Sequence, residues 1–426
     1  DDQTIEIQVP QGAHTGDLTV TVDGIPSAAQ HFRVWSSLAI GTQLRYLPQS
    51  RAIPFALDAV DTDGVHSATA TVQWSASGTA SVDASGTVTM SGAGSATLSA
   101  SCGALSAPAV TLTGVGATAA VNTIAGDDQS AFKDGVGANA EFYFPRSLTI
   151  GPDGNLYVAD EWNSAIRKIT PGGTVTTLVG KDSSGQSPLA YPVGIATGPD
   201  GNLYVADENG GDVNKVTLAG QVTAIATIDA VKTAQSATST YLGGIAVASD
   251  GTIYVSDTWN NDVLKIKNGQ VTVLAGNDSF TGGSADGTGT QASFKTPQAL
   301  ALDGQGDLYV ADNGNNAIRK IQLSSGQVST LTLSGAQLAT PYGLALDKSG
   351  NLYTTNQMGG QVLKITPQGV VSVLAGSGSF VTLADGPVSS AGFGYTFGLC
   401  FDAQGDLYVT EGSDGNVNRL REILMP

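Results

Sequence analysis

The segment GNLYVAD at residues 154–160 decides the fold, because it recurs with small changes along most of the chain. It returns as GNLYVAD at 201–207, GTIYVSD at 251–257, GDLYVAD at 306–312, GNLYTTN at 350–356 and GDLYVTE at 405–411. The tyrosines of these copies stand 47, 50, 55, 44 and 55 residues apart, a period that holds one small antiparallel sheet per repeat. Around each copy the pattern yields four strands. A run such as PRSLTI (145–150), PVGIAT (192–197), PQALAL (297–302) or PYGLAL (341–346) comes first. A turn ending in Asp-Gly or a relative leads into the Leu-Tyr-Val strand, its glycine supplying the positive φ of a tight hairpin. A third strand follows (IRKI at 166–169, VLKI at 263–266), then a fourth of the form VTTLVG from Val175 or VTVLAG from Val271.

The sixth copy reaches its third strand near residues 417–424 without a fourth, whereas a strand of the fourth type, VNTIAG at 121–126, precedes the first copy. Six cores and six fourth strands balance if strand 121–126 completes the last sheet and shuts a ring, which hides two open edges. The expected fold is all-β, a six-bladed β-propeller over residues 115–426.

These repeats resemble the NHL family, whose repeats build six-bladed propellers. The loop DGVGANAEF at 134–142, with its relatives DGTGTQASF at 286–294 and DGPVSSAGF at 385–393, is similar to bacterial members. Ahead of the repeats, residues 36–114 resemble a bacterial Ig-like β-sandwich through DAVDTDG (58–64), ASVDASGTVT (80–89) and GSATLSA (94–100), with Trp74 as its core aromatic. Residues 1–35 resemble the closing half of an IPT/TIG immunoglobulin-like domain through VPQGAHTGDLTVTVDG at 9–24. Half a sandwich cannot bury its own apolar face, so upstream domains of the same polypeptide are expected.

Composition narrows the partners. The net charge is −18, with −6 on residues 1–114 and −12 on the rest, so clustered phosphate contacts, and with them nucleic acid, are excluded. No apolar run approaches the roughly 18 residues of a membrane helix, which argues against direct membrane insertion. Acidity, 55 glycines and modular order suit an extracellular, cell-surface or periplasmic bacterial protein. Cys102 and Cys400 read as small buried hydrophobes.

His14, His31 and His66 all precede the propeller, which removes the histidine-held zinc of the lyases related to this family. No nucleophile elbow occurs. Asp160, Asp207, Asp257, Asp312, Asn356 and Glu411 repeat at the end of the second strand, and two readings stand for them. They cap the following turn in each repeat, or together they offer a hard cation such as calcium a set of oxygens near one rim, as in calcium-dependent lactonase propellers. Trp162 and Trp259 take one loop position in the first and third repeats and offer stacking surfaces for a sugar ring or protein. Arg146, Gln298, Tyr342 and Thr396 begin first strands and are placed at the channel mouth. The candidate binding residues are therefore Trp162, Trp259, Arg146, Gln298, Tyr342, Thr396, Asp160, Asp257, Asp312 and Glu411, with no catalytic or metal residue assigned and no cofactor expected unless it is calcium. The functional expectation is a non-catalytic recognition or scaffolding protein for a surface protein or glycan. Its alternatives are a calcium-dependent hydrolase or lyase in the channel and a structural subunit of an extracellular assembly.

Overall fold

The computed structural model describes residues 16–18, 21–22, 25–26, 30–32, 35–40, 44–55, 57–61, 66–67, 72–102, 105–208, 211–228, 240–277, 281–378, 383–413 and 417–426. Most of the IPT/TIG-like stretch, His14 and the side chains of His31 and His66 lie outside the described residues.

The chain is all-β. Helical turns at 137–139, 161–163, 289–291, 313–315 and 357–359 are single three-residue 3-10 turns. From residue 120 onward the strands form successive four- or five-stranded sheets, six among the described residues, antiparallel except that the short strand Ser334–Gly335 pairs parallel with Val370–Ala375. The first sheet runs Pro145–Ile150, Leu156–Asp160, Ala165–Ile169 and Thr174–Val179, with Gly135–Val136 added outside. The sheets that follow open with Pro192–Thr197, Leu242–Val247, Pro297–Leu302, Pro341–Leu346 and Thr396–Phe401. These opening strands lie side by side in chain order, and the last also lies against the first. The arrangement is of propeller type. In the last sheet Ala120–Ala125 pairs antiparallel with Asn418–Leu424, Val121 opposite Ile423.

The repeated residues have local reasons. Gly154, Gly201 and Gly251 sit at φ 75°, 74° and 78°, where a side chain is strained, and so fix the hairpin. The Tyr157 hydroxyl donates to Asp153 of that hairpin at 2.8 Å, and Lys168 on the next strand reaches the same carboxylate at 2.9 Å. Tyr204, Asp200 and Lys215 repeat the triangle in the second sheet. The Asp-Gly loops serve another purpose. Arg167, Arg319 and Arg421 are fully buried, each between the acid ending its own second strand and the loop aspartate: Asp160 with Asp134, Asp312 with Asp286, Glu411 with Asp385. Each guanidinium lies over the loop's phenylalanine, Phe142, Phe294 or Phe393, at 5.1, 5.2 and 4.9 Å.

The preceding strands form a sheet of Gln73–Gly78, Gly94–Cys102, Val110–Gly114, Tyr46–Leu47 and Leu105–Ser106, and a second of Ala80–Val82, Thr87–Met90 and Ala52–Pro54. Alternation along them buries Val88, Met90, Leu98 and Leu112 in one core, with Trp74 half-buried against it. That core is continuous with the first and last sheets of the repeat region. The Asn122 amide fixes the junction: its Oδ1 accepts from the backbone N–H groups of Arg45 and Tyr46 at 2.8 Å, and its Nδ2 donates to the Tyr46 carbonyl at 2.9 Å. Arg51 adds an ion pair to Asp406. Cys102 and Cys400 are free thiols.

Candidate functional site

The repeated acids are structural latches, which corrects the placing of Asp160, Asp257, Asp312 and Glu411 among binding residues. All four are completely buried. Asp160 accepts from the Tyr143 N–H at 2.8 Å, Asp312 from Lys295 at 2.7 Å and Glu411 from Gly394 at 2.7 Å. Their second oxygens take Arg167, Arg319 and Arg421. Asp257 holds the Asn260 amide at 2.8 Å. Burial pushes Asp160 up to about 6 against the pull of Arg167, and raises Asp312 for the same reason. Each oxygen thus faces its own sheet. Among the described residues, the acidic side chains close enough to share an ion are instead Asp402, Asp406 and Glu422. Arg51, Tyr408 and the Met425 N–H already engage that group.

The mouth of the ring is set by register. Pro145, Pro192, Leu242, Pro297, Pro341 and Thr396 each oppose the acid or amide that ends the second strand. The next residues, Arg146, Val193, Gly243, Gln298, Tyr342 and Phe397, are therefore equivalent to one another. Thr396 is one position out of phase with Arg146, Gln298 and Tyr342, and is fully buried; the aromatic Phe397 takes the place expected of it. Gln298 lies toward the third sheet, its Oε1 3.3 Å from where a Cβ on Gly243 would stand.

Arg146 and Tyr342 do meet. Arg146 Nη1 donates to the Tyr342 hydroxyl at 2.8 Å, and its Nε donates to the Glu161 carboxylate. The guanidinium carbon lies 5.2, 5.6 and 5.0 Å from the ring centres of Phe144, Tyr342 and Phe397. Trp162 stacks on Phe144 (5.3 Å, 15° between planes) and donates Nε1–H to Glu161 at 3.1 Å. Beside this group opens a cleft of about 390 Å³, lined by Phe144, Arg146, Trp162, Gln357, Tyr395 and Phe397. Trp162 and Tyr395 are 41% and 44% exposed, so the lip is aromatic and open to solvent, and Arg146 supplies the charge among the lining residues. Trp259 takes the matching place in the third sheet against Tyr241 (5.1 Å) and does not line this cleft.

Glu161 and Glu208 belong to the few glutamates of the repeat region, with Glu141, Glu411 and Glu422, and the spacing of the sequence singles out none of these for acid–base work. Glu161 and Glu208 both follow the repeated acid, as Asp160-Glu161 and Asp207-Glu208, and the other four copies carry no acid there. That break in symmetry was the available signal. Glu208 is pushed up to about 7, first by burial, then by the nearby charges of Glu161 and Asp207, against the pull of Arg146. Burial opposes the charge on Arg146, yet Tyr342, Glu161 and Glu208 hold it above the ordinary guanidinium range. Tyr342 is pushed up to about 12 by burial and the two glutamates, Arg146 opposing. A carboxyl group poised near neutrality beside a fixed cation is an arrangement for proton transfer and oxyanion stabilisation.

Calcium takes about six to eight oxygen ligands. Here both Glu161 oxygens already accept hydrogen bonds, one from Arg146 and one from Trp162, the rings of Phe144, Tyr342 and Phe397 face the guanidinium, and Glu208 and the Gln357 amide are the further oxygen donors near it, too few for that ion. The described donor set does not fit that ion.

The family described as SMP-30/Gluconolactonase/LRE-like region matches residues 144–375, more than half of the chain. No curated protein matches. Among solved structures, a structural-genomics protein of unknown function from Bacteroides thetaiotaomicron VPI-5482 is similar over 92% of this chain and 98% of its own, at 16% identity and TM-score 0.59. An auxiliary nutrient binding protein from the same organism covers 92% and 97% at 14% identity and TM-score 0.56. A putative phosphatase, also from that organism, covers 92% and 97% at 15% identity and TM-score 0.55. At these identities the likeness is one of fold.

Proposed function

Because this chain belongs to the SMP-30/gluconolactonase/LRE-like family, we propose that it is a hydrolase or lyase working at the channel mouth around Arg146, Glu161 and Glu208. Family membership overturns the expectation of a protein that only binds. The observation that carries the reading is a half-buried arginine, held by Glu161 and Tyr342 and lining an aromatic-lipped cleft, with the charge of Glu208 near enough to act on both Arg146 and Glu161.

The family name points to cyclic esters of sugar acids as the first substrate class, and the lip offers ring faces on which a sugar's C–H surface would lie. Ionised Glu208 takes a proton from water as that water's oxygen attacks the ester carbonyl. The developing oxyanion is met by the Arg146 guanidinium, which Glu161 and Tyr342 hold in place. Collapse breaks the ring C–O bond, and the departing alkoxide takes the proton from Glu208. Water and lactone become one hydroxy acid, and no group is consumed. Incubation with a panel of sugar δ- and γ-lactones in oxygen-18 water tests this: one labelled carboxylate oxygen per turnover is expected. Cleavage without incorporation of water marks a lyase instead. Full-length protein inactive on every cyclic ester and every eliminable substrate offered would end the reading.

We read the six sheets as the blades of one propeller, a count supported by the repeat number and by the neighbouring opening strands. The NHL-type resemblance of the repeats is supported by the six Leu-Tyr-Val cores. The Ig-like reading of residues 36–114 is supported by short strands alternating about a shared core. A bacterial extracellular or periplasmic setting and a glycan-derived substrate suit the acidic composition and the aromatic lip.

A further inference from the structure

We propose that Arg146 takes the place of a divalent ion, so that the channel mouth carries its own cation and works without a metal. The inference rests on the reading of this mouth as the reacting site. A metal in such a site would neutralise clustered carboxylates and polarise a substrate oxygen. The guanidinium is already placed for both tasks. Its Nε engages Glu161, its Nη1 engages the Tyr342 hydroxyl, and Nη2 makes no hydrogen bond among the described residues, which leaves N–H donors for a substrate oxygen. Three rings, Phe144, Tyr342 and Phe397, surround the cation within 5.6 Å and contribute electron-rich faces where a metal would require oxygen donors. A guanidinium cannot give up its charge in this setting, so a second cation arriving at Glu161 or Glu208 meets repulsion at short range. The ligand this site selects is a neutral carbonyl that becomes an oxyanion, or a carboxylate product, held by two N–H groups in the plane of the guanidinium.

Terbium, which binds where calcium does, is the probe. Trp162 is bonded to Glu161, so an ion on that carboxylate would show tryptophan-sensitised emission. The full chain is titrated with terbium as wild type, Arg146→Ser and Arg146→Ser/Glu161→Gln, with circular dichroism to check folding. Expected is no Trp162-dependent emission from the wild type, emission from Arg146→Ser that calcium displaces, and its loss in the double variant. Wild-type emission that Glu161→Gln abolishes would overturn the inference, as would silence from both wild type and a folded Arg146→Ser. If Arg146→Ser does not fold, the wild type decides alone: turnover of a lactone unchanged within about twofold by excess EDTA supports the built-in cation, and a loss restored by calcium refutes it. The two readings fail separately. Terbium results as expected with no substrate turned over would sink the enzyme reading only; lactone hydrolysis that requires calcium would sink the cation reading only.

Discussion

Arg146 and Tyr342, 196 residues apart, share a hydrogen bond of 2.8 Å that joins the first sheet to the fifth at the mouth of the ring. Closing the ring is what brings them together, since the opening strand of the sixth sheet lies between those of the fifth and the first. Phe397, from that intervening strand, packs edge-on against Tyr342 at 4.9 Å and lies under the same guanidinium. Arg146, Tyr342 and Phe397 therefore rest on the opening strands, whereas Glu161, Trp162 and Glu208 rest on the turns that follow the second strands.

Replacing Arg146 with Met should reduce turnover of a lactone by about two to three orders of magnitude, the usual loss when one oxyanion donor is removed. It should also lower unfolding stability by about 3 kcal/mol, because Glu161 would be left buried without its counter-charge. Steady-state kinetics and urea denaturation of the same preparation check both. A full-activity Arg146→Met would show that the guanidinium is only structural.

The arginine clamps make a prediction about stability alone. Arg319→Leu should cost about 3–5 kcal/mol, since Asp312 stays buried with its partner gone. The fifth sheet carries Asn356 and Leu363 at the two corresponding positions, with no buried charge at either. The double change Asp312→Asn/Arg319→Leu should therefore recover most of the loss in a urea melt. A double variant as unstable as the single one would mean that the remaining ties to the Asp286 loop, and not the buried pair, set the energy.

Glu422 makes stability fall as pH rises from the acid range toward 8. Burial, with Asp406 and Asp402 nearby, pushes it up to about 8 against the Tyr408 hydrogen bond and Arg51. Its folded value lies above its unfolded one, so the folded state holds a proton that the unfolded chain has released. The contribution of this group is then full below about pH 4.3 and is lost as pH rises toward 8. Glu422→Gln should flatten this decline in melting temperature between pH 5 and 8. Parallel curves for wild type and variant would refute the assignment.

The two tryptophans should separate. Trp162→Ala removes the stack on Phe144 and the bond to Glu161, and is expected to raise KM about tenfold or more. Trp259→Ala, on the third sheet, should leave KM within about twofold. Equal effects on substrate titration would place the substrate across the whole rim.

The all-β class and the succession of repeated sheets were legible because side chains repeat wherever a hairpin, a ladder or a latch repeats. The same symmetry left two readings for Asp160, Asp257, Asp312 and Glu411, capping or ligand binding, and the structural one fits what they hold: three of them accept from a backbone N–H and from an arginine, and Asp257 holds the Asn260 amide. Function lies where copies differ, and there one sequence says little. Glu161 and Glu208 stood out only as two acids added to two of six loops, and their effect depends on Arg146, which reaches them from a different strand. Thr396 was misplaced by one residue because the pattern of its strand lacks the leading proline of the first, second, fourth and fifth sheets. The chemistry itself came from family membership, which no spacing within the repeats expresses.

The most direct test of the account is kcat/KM on a hydrolysed lactone from pH 5 to 9 for wild type and Glu208→Gln. The wild type should rise with pH and level off through a single inflection near 7, as Glu208 becomes the ionised base. The variant should fall by about two orders of magnitude or more and lose the inflection while keeping the wild-type melting temperature. A Glu208→Gln protein with the wild-type rate and the wild-type profile would contradict the account.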